Sequence, residues 1–561
     1  MDIRRLDQVV PALAELEAQV RQTGRHAVGF VSYEAAPAFD SALVTRPAPA
    51  DFPLLWFGLY DEPYKTTTLP GYSGDPTAPV GWSPSMAEDT YELAINRIKQ
   101  HIAAGETYQV NFTFRLMARF TGAAWALFLA MLSGQTAGYP AFIDTGRHVV
   151  CCASPELFFR QAGEQITCRP MKGTTWRGRT LAEDEARARW LHNSEKNRAE
   201  NVMIVDMLRN DLGRVAETGS VRVPELFSLE RYPTVWQMTS TITARVQAPF
   251  IQLFGALFPC ASITGAPKIS TMRIIAALED APRRAYTGSI GYLAPGRQAQ
   301  FNVAIRTVII DTQTGRAEYG LGGGVVWDST APDEYAEALL KAHILTAPQQ
   351  AGLVTLLETL RWTPQEGYFL LERHLERLAD SAAYFGITLE AAAVRAYLAA
   401  AAQELPAAPQ RLRLLLAPDG TLSHEAFALP SQGTKRLRVG LARQALNSHD
   451  AFLFHKTTQR GLYEEARAGR PECDDVLLYN ERDELTESSI ANLVVELDAN
   501  PSQGLFTPPA ECGLLAGTFR AALLEQGLIT QRILKRADLA RCSKLFLVNS
   551  VRGWMEAELV P

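Results

Sequence analysis

No stretch of this 561-residue chain approaches the ~20 consecutive apolar residues of a membrane-spanning helix. Met1-Asp2-Ile3-Arg4-Arg5-Leu6 also lacks the apolar core of a secretory signal, so a soluble, cytoplasmic protein is the expectation. Positive charge is short: 55 Lys plus Arg face 61 Asp plus Glu, a formal balance of -6, which leaves no basic footprint for nucleic acid. Cysteine is scarce, seven in all, with no Cys-x-x-Cys pair and with Cys151 and Cys152 adjacent. That spacing argues against a zinc site or a disulfide framework and for buried thiols in a reducing compartment. Tandem repeats and low-complexity tracts are missing too, and the alanine-rich stretch 391–402 reads as a plain helix.

What is present is more specific. Arg169-Pro170-Met171-Lys172-Gly173-Thr174 frames a lysine between proline and glycine, sixteen positions after Glu156 of Ser154-Pro155-Glu156. Leu157-Phe158-Phe159 and Glu164-Gln165-Ile166-Thr167 read as strands joined by a turn at Gln161-Ala162-Gly163, a hairpin able to bring Glu156 and Lys172 into one cleft. Taken alone, such a lysine is more simply a surface residue of a turn. A second break, Thr346-Ala347-Pro348-Gln349-Gln350-Ala351-Gly352, precedes more than 200 further residues, enough for another domain.

Further segments give the lysine a context. Gly105-Glu106-Thr107-Tyr108-Gln109-Val110-Asn111, Ser262-Ile263-Thr264-Gly265-Ala266-Pro267-Lys268, Tyr286-Thr287-Gly288, Asn302-Val303-Ala304-Ile305-Arg306 and Gly322-Gly323-Gly324-Val325-Val326-Trp327 occur in the order found in chorismate-utilising enzymes. The first ~345 residues resemble that family. Members that add water to chorismate carry a lysine base where this chain has Gln109, and a neutral amide cannot take a proton from water near neutral pH. Anthranilate synthases usually have alanine at the position of Lys172, whereas lysine resembles the aminodeoxychorismate synthase branch. Anthranilate synthesis fused to an aminotransferase is the alternative. No Leu-Leu-Glu-Ser tryptophan-sensing signature lies in the early region.

The resemblance implies a division of labour. The Lys172 amine attacks C2 of chorismate and expels the C4 hydroxyl, which Glu156 protonates; ammonia then attacks C4 and expels the lysine. A lysine is nucleophilic only as the free amine, which burial or a neighbouring cation such as Mg2+ promotes. Two acidic segments align with the family's metal helices, so Glu200 and Glu337 are the implied Mg2+ ligands, with Glu334 assisting. A solvated amphipathic helix with Val202, Val205 and Leu208 at helical spacing explains the first segment equally without a metal. Tyr286, Arg306, Lys341, the amides of a Gly322–Gly324 loop, and Thr264 and Gly265 are the implied substrate contacts. Gln237 stands where several members have histidine, which fits a domain that retains the pyruvyl group. No glutamine amidotransferase nucleophile elbow is visible, so ammonia is expected from solution or from a separate glutaminase subunit.

Beyond the break, Leu356-Leu357-Glu358-Thr359, His374-Leu375-Glu376-Arg377-Leu378, Phe454-His455-Lys456-Thr457, Leu485-Thr486-Glu487-Ser488 and Gly513-Leu514-Leu515-Ala516-Gly517-Thr518 resemble class IV, fold-type IV pyridoxal-phosphate enzymes. By that resemblance Lys456 holds the cofactor aldehyde, Glu487 faces the pyridine nitrogen, and Arg377 with Gly517 and Thr518 binds the phosphate. Ser550 is a further cofactor-facing candidate. Lyases and aminotransferases share these motifs; the first domain favours a lyase that releases pyruvate and 4-aminobenzoate. Stand-alone relatives begin with a strand pair that this chain lacks, so that edge comes from the first domain or is dispensed with. The implied fold class is α/β (α+β). A chorismate-enzyme β-sandwich with flanking helices over 1–345 leads through a linker at 346–352 to a fold-type IV domain over 353–561.

Overall fold

The computed structural model describes all residues except 67–68, 72–79, 134–137, 346–353, 430–435, 499–503 and 561, so the linker at 346–352 lies outside the described residues. The chain forms two compact units, Met1–Trp176 with Ala188–Ala351, and Arg177–Arg187 with Gly352–Pro561.

The first unit is built on a ten-stranded and a seven-stranded sheet. Phe30 and Ile290 from one and Val150, Cys152 and Ile309 from the other meet in a shared apolar cluster, so the sheets form a sandwich. Helices cover the outer faces. Val9, Leu13, Leu16 and Val20 recur on one side of the helix Leu6–Thr23 and pack over the first sheet with Ile204, Val205, Leu208 and Leu212 of the helix Glu195–Gly213. Val202 is exposed, because the buried stripe of that second helix runs through Ile204 instead.

Two irregularities prepare the site. The strand Met171–Trp176 pairs with Val235–Arg245 through Met171↔Thr239 and Thr174↔Gln237, so three steps on one strand face two on the other. Lys172-Gly173 is thus a β-bulge, with Gly173 at φ 96°, and the bulge re-aims the lysine. The strand Arg316–Val325 pairs with Gln109–Arg119 over its whole length, from Arg316↔Arg119 to Val325↔Val110. Gly322–Gly324 is therefore strand backbone and not the loop read from the sequence. On the other side Thr307–Asp311 pairs only as far as Tyr319, which leaves one edge of the glycine strand open.

The second unit pairs a four-stranded antiparallel sheet with a larger one. In the larger sheet Leu485–Ser488 pairs with both Asp475–Tyr479 and Asn492–Leu497, closing a barrel filled by Val476, Leu477, Leu493, Val495 and Leu547. The helices Leu371–Phe385 and Ala391–Glu404 pack Leu375, Leu378, Val394 and Leu398 on the smaller sheet. Residues 177–187 add no edge strand here. Instead the Arg177 guanidinium lies 4.3 Å from the Tyr384 ring centroid, and Tyr384 Oη donates to the Gly178 carbonyl at 2.8 Å. No helix among the described residues is long and apolar enough to cross a membrane.

Candidate active sites

A cavity of about 560 Å³ in the first unit is lined by Glu156, Lys172, Glu200, Gln237, Tyr286, Arg306, the backbone of Gly320–Gly324, Glu334, Glu337 and Lys341. Glu156 is buried at the end of the strand His148–Ser154, and its Oε1 accepts a hydrogen bond from Ser262 Oγ at 2.7 Å. Burial pushes its carboxyl up to about 7, partly offset by the Ser262 bond, the Met171 amide and the Lys172 charge. The backbone of Lys172 is tied down by Asn201 Nδ2, which donates to its carbonyl at 3.4 Å, while Ser240 Oγ donates to Asn201 Oδ1 at 2.6 Å.

Arg306 holds a positive φ of 52°, and its guanidinium makes no hydrogen bond among the described residues; burial lowers its pKa. A half-buried guanidinium with free donors facing a cavity is a strong attractant for a carboxylate. Lys341 Nζ donates to the Gly322 carbonyl at 2.9 Å and pairs with Glu337 at 2.9 Å. In an antiparallel ladder the N–H and C=O of one residue point the same way, so the Gly322 amide faces the same open edge. The Lys341 charge holds the Glu337 carboxyl below its usual range, whereas burial raises Glu334, whose Oε1 accepts from Ser329 Oγ at 2.6 Å.

Thr264 and Gly265 do not line this cavity. Thr264 Oγ1 donates to the Cys260 carbonyl at 3.1 Å, and Gly265 pairs with Val110, where a Cβ would come within 2.0 Å of the Gln109 carbonyl. The Ser-Ile-Thr-Gly segment reaches the cavity through Ser262 and Ile263 instead. Ser262 opens a motif read from the sequence but is not among the site residues expected from it, and Asn201 and Ser240 carry no titratable group, so nothing in their local sequence distinguishes these two from ordinary helix and strand polar residues. Among the described residues, the carboxylate and imidazole atoms that converge within 4.8 Å as a trio belong to Asp51, His148 and Asp311, where Arg147 already bridges the two carboxylates at 3.2 and 3.0 Å.

The second unit holds a cavity of about 500 Å³ lined by Arg377, Lys456, Glu487, Gly517, Thr518 and Ser550. The Lys456 carbonyl accepts from the Leu357 amide at 2.9 Å, which pins the lysine against the strand Leu356–Thr363. Burial and the Arg377 charge bring its amine down to about 8. Glu487 accepts from Tyr463 Oη at 2.9 Å, the Leu515 amide at 3.2 Å and Asn492 Nδ2 at 3.2 Å, and burial pushes it up to about 7. Gly517 caps the helix Thr518–Glu525, and a Cβ there would lie 2.0 Å from Asn492 Oδ1. Arg411 and Arg413 also face this cavity, alternating with buried Leu412 and Leu414.

Comparison with known proteins assigns a family to each region. A family model for chorismate binding enzyme matches residues 4–347, and one for amino-transferase class IV matches residues 355–560. Aminodeoxychorismate synthase component 1 of Bacillus subtilis (strain 168) is 39% identical over 262 residues, covering 46% of this chain and 55% of that protein. The Klebsiella aerogenes protein of the same name is 36% identical over 343 residues, covering 56% of this chain and 75% of that one. The chain thus spans little more than half the length of the first of these relatives. Anthranilate synthase component I from Streptococcus pneumoniae superposes with a TM-score of 0.54 at 26% identity, covering 60% of this chain and 85% of that structure. The chain belongs to the chorismate binding enzyme family and carries a class IV aminotransferase domain, a type that implies pyridoxal phosphate, behind it.

Proposed function

We propose that the protein makes 4-aminobenzoate. The first unit replaces the C4 hydroxyl of chorismate with ammonia, giving 4-amino-4-deoxychorismate and water, and the second eliminates pyruvate. The observation that carries this reading is Lys172, presented by a bulge into a cavity that also holds Glu156, whose carboxyl burial pushes up to about 7, and the guanidinium of Arg306, which makes no hydrogen bond among the described residues. Lys172 acts as the nucleophile at C2 and Glu156 as the acid that protonates the departing hydroxyl. Arg306, Lys341, Tyr286 and the open amide edge at Gly322 bind the carboxylates.

Glu200 and Glu337 face the first cavity from two helices and offer only oxygen donors, which suits Mg2+ held by few carboxylates together with substrate and water. The second cavity fits pyridoxal phosphate through an amine at Lys456, a carboxylate at Glu487 and a helix N-terminus at Gly517 and Thr518 beside Arg377. That cofactor supplies an electron sink when bound. Lys456 is the base that moves the C4 proton. Arg411 and Arg413 favour a substrate with two carboxylates over an apolar amino acid, and so a lyase over a branched-chain aminotransferase. Ammonia comes from a separate glutaminase subunit, and the buried thiols suit a reducing cytoplasm.

The test is to incubate the protein with chorismate, an ammonium salt, Mg2+ and pyridoxal phosphate and to identify the products. Formation of 4-aminobenzoate and pyruvate, lost in Lys172→Ala, is expected. Anthranilate would refute the first assignment, and accumulating aminodeoxychorismate the second. Glutamine should replace ammonium only when the glutaminase subunit is added; strong glutamine use by the lone chain would remove that partner.

A further inference from the structure

Two buried residues of the second unit, Glu358 and His374, have no role in the function proposed above. Glu358, on the strand Leu356–Thr363, is 2% exposed, and both of its oxygens are engaged. Oε1 accepts from Arg377 Nε at 2.9 Å, Oε2 accepts from Arg377 Nη2 at 2.7 Å, and Oε2 also lies 2.6 Å from His374 Nδ1. His374 is 1% exposed, and its other ring nitrogen, Nε2, lies 3.2 Å from Thr518 Oγ1. Two arms therefore leave a single carboxylate. One ends in Arg377, the other runs through His374 to Thr518, and both Arg377 and Thr518 line the cavity.

The chemistry of the arms is directional. A bidentate Arg–carboxylate pair fixes the plane of the guanidinium as well as its position. Arg377 Nη1 also donates to the Ala516 carbonyl at 3.2 Å, so one hydrogen on each terminal nitrogen remains for an anion. An ionised carboxylate only accepts, so His374 Nδ1 carries the hydrogen that faces Glu358 and the ring is fixed with Nε2 beside Thr518 Oγ1; with a hydrogen on Nε2 as well, the ring donates to the threonine oxygen and leaves the hydroxyl hydrogen for an anion. Glu358 stays ionised at any working pH: burial raises its pKa, but Arg377 and His374 outweigh burial and hold it at about 2. A carboxylate buried this deeply persists only with such partners. Gly517 and Thr518 open the helix Thr518–Glu525, so the guanidinium, the hydroxyl and the helix amides face one place.

We propose that Glu358 and His374 are positioning residues for the anion end of this cavity, presetting the Arg377 guanidinium and the Thr518 hydroxyl for a phosphate group. The inference rests on the class IV reading of the second unit. It makes the network specific to the phosphate and indifferent to the rest of the cofactor. Glu358 also acts electrostatically on Lys456, but that influence applies equally to a cofactor with or without phosphate.

The experiment compares pyridoxal 5′-phosphate with pyridoxal, which lacks the phosphate, on the full chain and on Glu358→Gln and His374→Ala. Dissociation constants are read from the visible absorbance band of the bound cofactor. Both variants should weaken pyridoxal phosphate about tenfold or more while changing pyridoxal less than about twofold, so that the preference for the phosphorylated form collapses. Inorganic phosphate should raise the unfolding temperature of the cofactor-free parent and not that of His374→Ala. Equal weakening of both cofactors would make the network a plain brace between helix and strand and overturn the proposal, as would an unchanged preference. A parent chain that binds neither cofactor would overturn the class IV reading and this proposal with it. If Glu358→Gln does not fold, His374→Ala alone decides, since it removes one arm without changing the charge of Glu358.

Discussion

Lys172 reaches into space that exists because residue 324 is glycine: a Cβ on Gly324 would lie 2.5 Å from Lys172 Nζ and 2.2 Å from Gln109 Nε2. Both atoms are ends of flexible side chains, so the fold can absorb a methyl group there, but the amine cannot keep its place. Gly324→Ala should therefore lower the ammonia-dependent consumption of chorismate at least about tenfold, with only a small change in unfolding temperature. Retained activity would mean that the position of Lys172 is not critical.

The protonation of Glu156 predicts a pH profile. Its carboxyl keeps its proton up to about pH 7, so the rate of the first reaction should fall as pH rises through that value. The Ser262 bond favours the charged form, so Ser262→Ala raises the pKa further and should move the falling limb to higher pH. A limb that stays put or moves down removes Glu156 from the acid role.

For Lys456 the sign is the opposite. Burial lowers the amine to about 8, so the free base becomes available near that pH instead of two or more units higher. The rate of cofactor loading, followed by stopped-flow absorbance, should climb through about pH 8 and then level off. A rate that keeps climbing past pH 10 would place Lys456 in water.

Arg413 lies a loose 3.7 Å from Glu425, which leaves it available to a ligand. Arg413→Gln should raise the KM for aminodeoxychorismate about tenfold and change kcat less, because it removes a charged anchor and not a proton carrier. A kcat loss at constant KM would contradict a role in binding.

The segment 177–187 makes a structural prediction. Arg177 Nε donates to Asp184 Oδ1 at 2.6 Å, and these side chains are 7% and 3% exposed. Arg177→Ala removes the guanidinium that pairs with the buried Asp184 carboxylate, while the Gly178 amide still donates to it at 2.9 Å, so the loss is at most about 3–5 kcal/mol. The second unit should unfold at a lower temperature and the segment become sensitive to limited proteolysis. Unchanged melting and cleavage would show that the segment contributes nothing to that unit.

The sequence alone determined the side chains able to do chemistry. Lys172, Glu156, Arg306, Lys456 and Glu487 stand in ordered local motifs, and the reactivity of an amine, a carboxyl or a guanidinium is written in the residue type. The hairpin from Leu157 to Thr167 and the alanine-rich helix within 391–402 were legible for the same reason, since alternation and helical propensity are local properties, whereas the glycine strand was not, because it is held by pairing with a distant partner strand. Only the tertiary structure decided how those groups are presented. The bulge at Lys172-Gly173 depends on a partner strand more than sixty residues away, and the open edge at Gly322 depends on where Thr307–Asp311 stops pairing. Thr264 and Gly265 carry the same motif letters as Ser262, yet only Ser262 meets Glu156, because the turn between them points the rest of the segment into the sheet. The proton on Glu156, the lowered amine of Lys456 and the arms of Glu358 arise from burial and from long-range partners, which no local stretch of chain encodes.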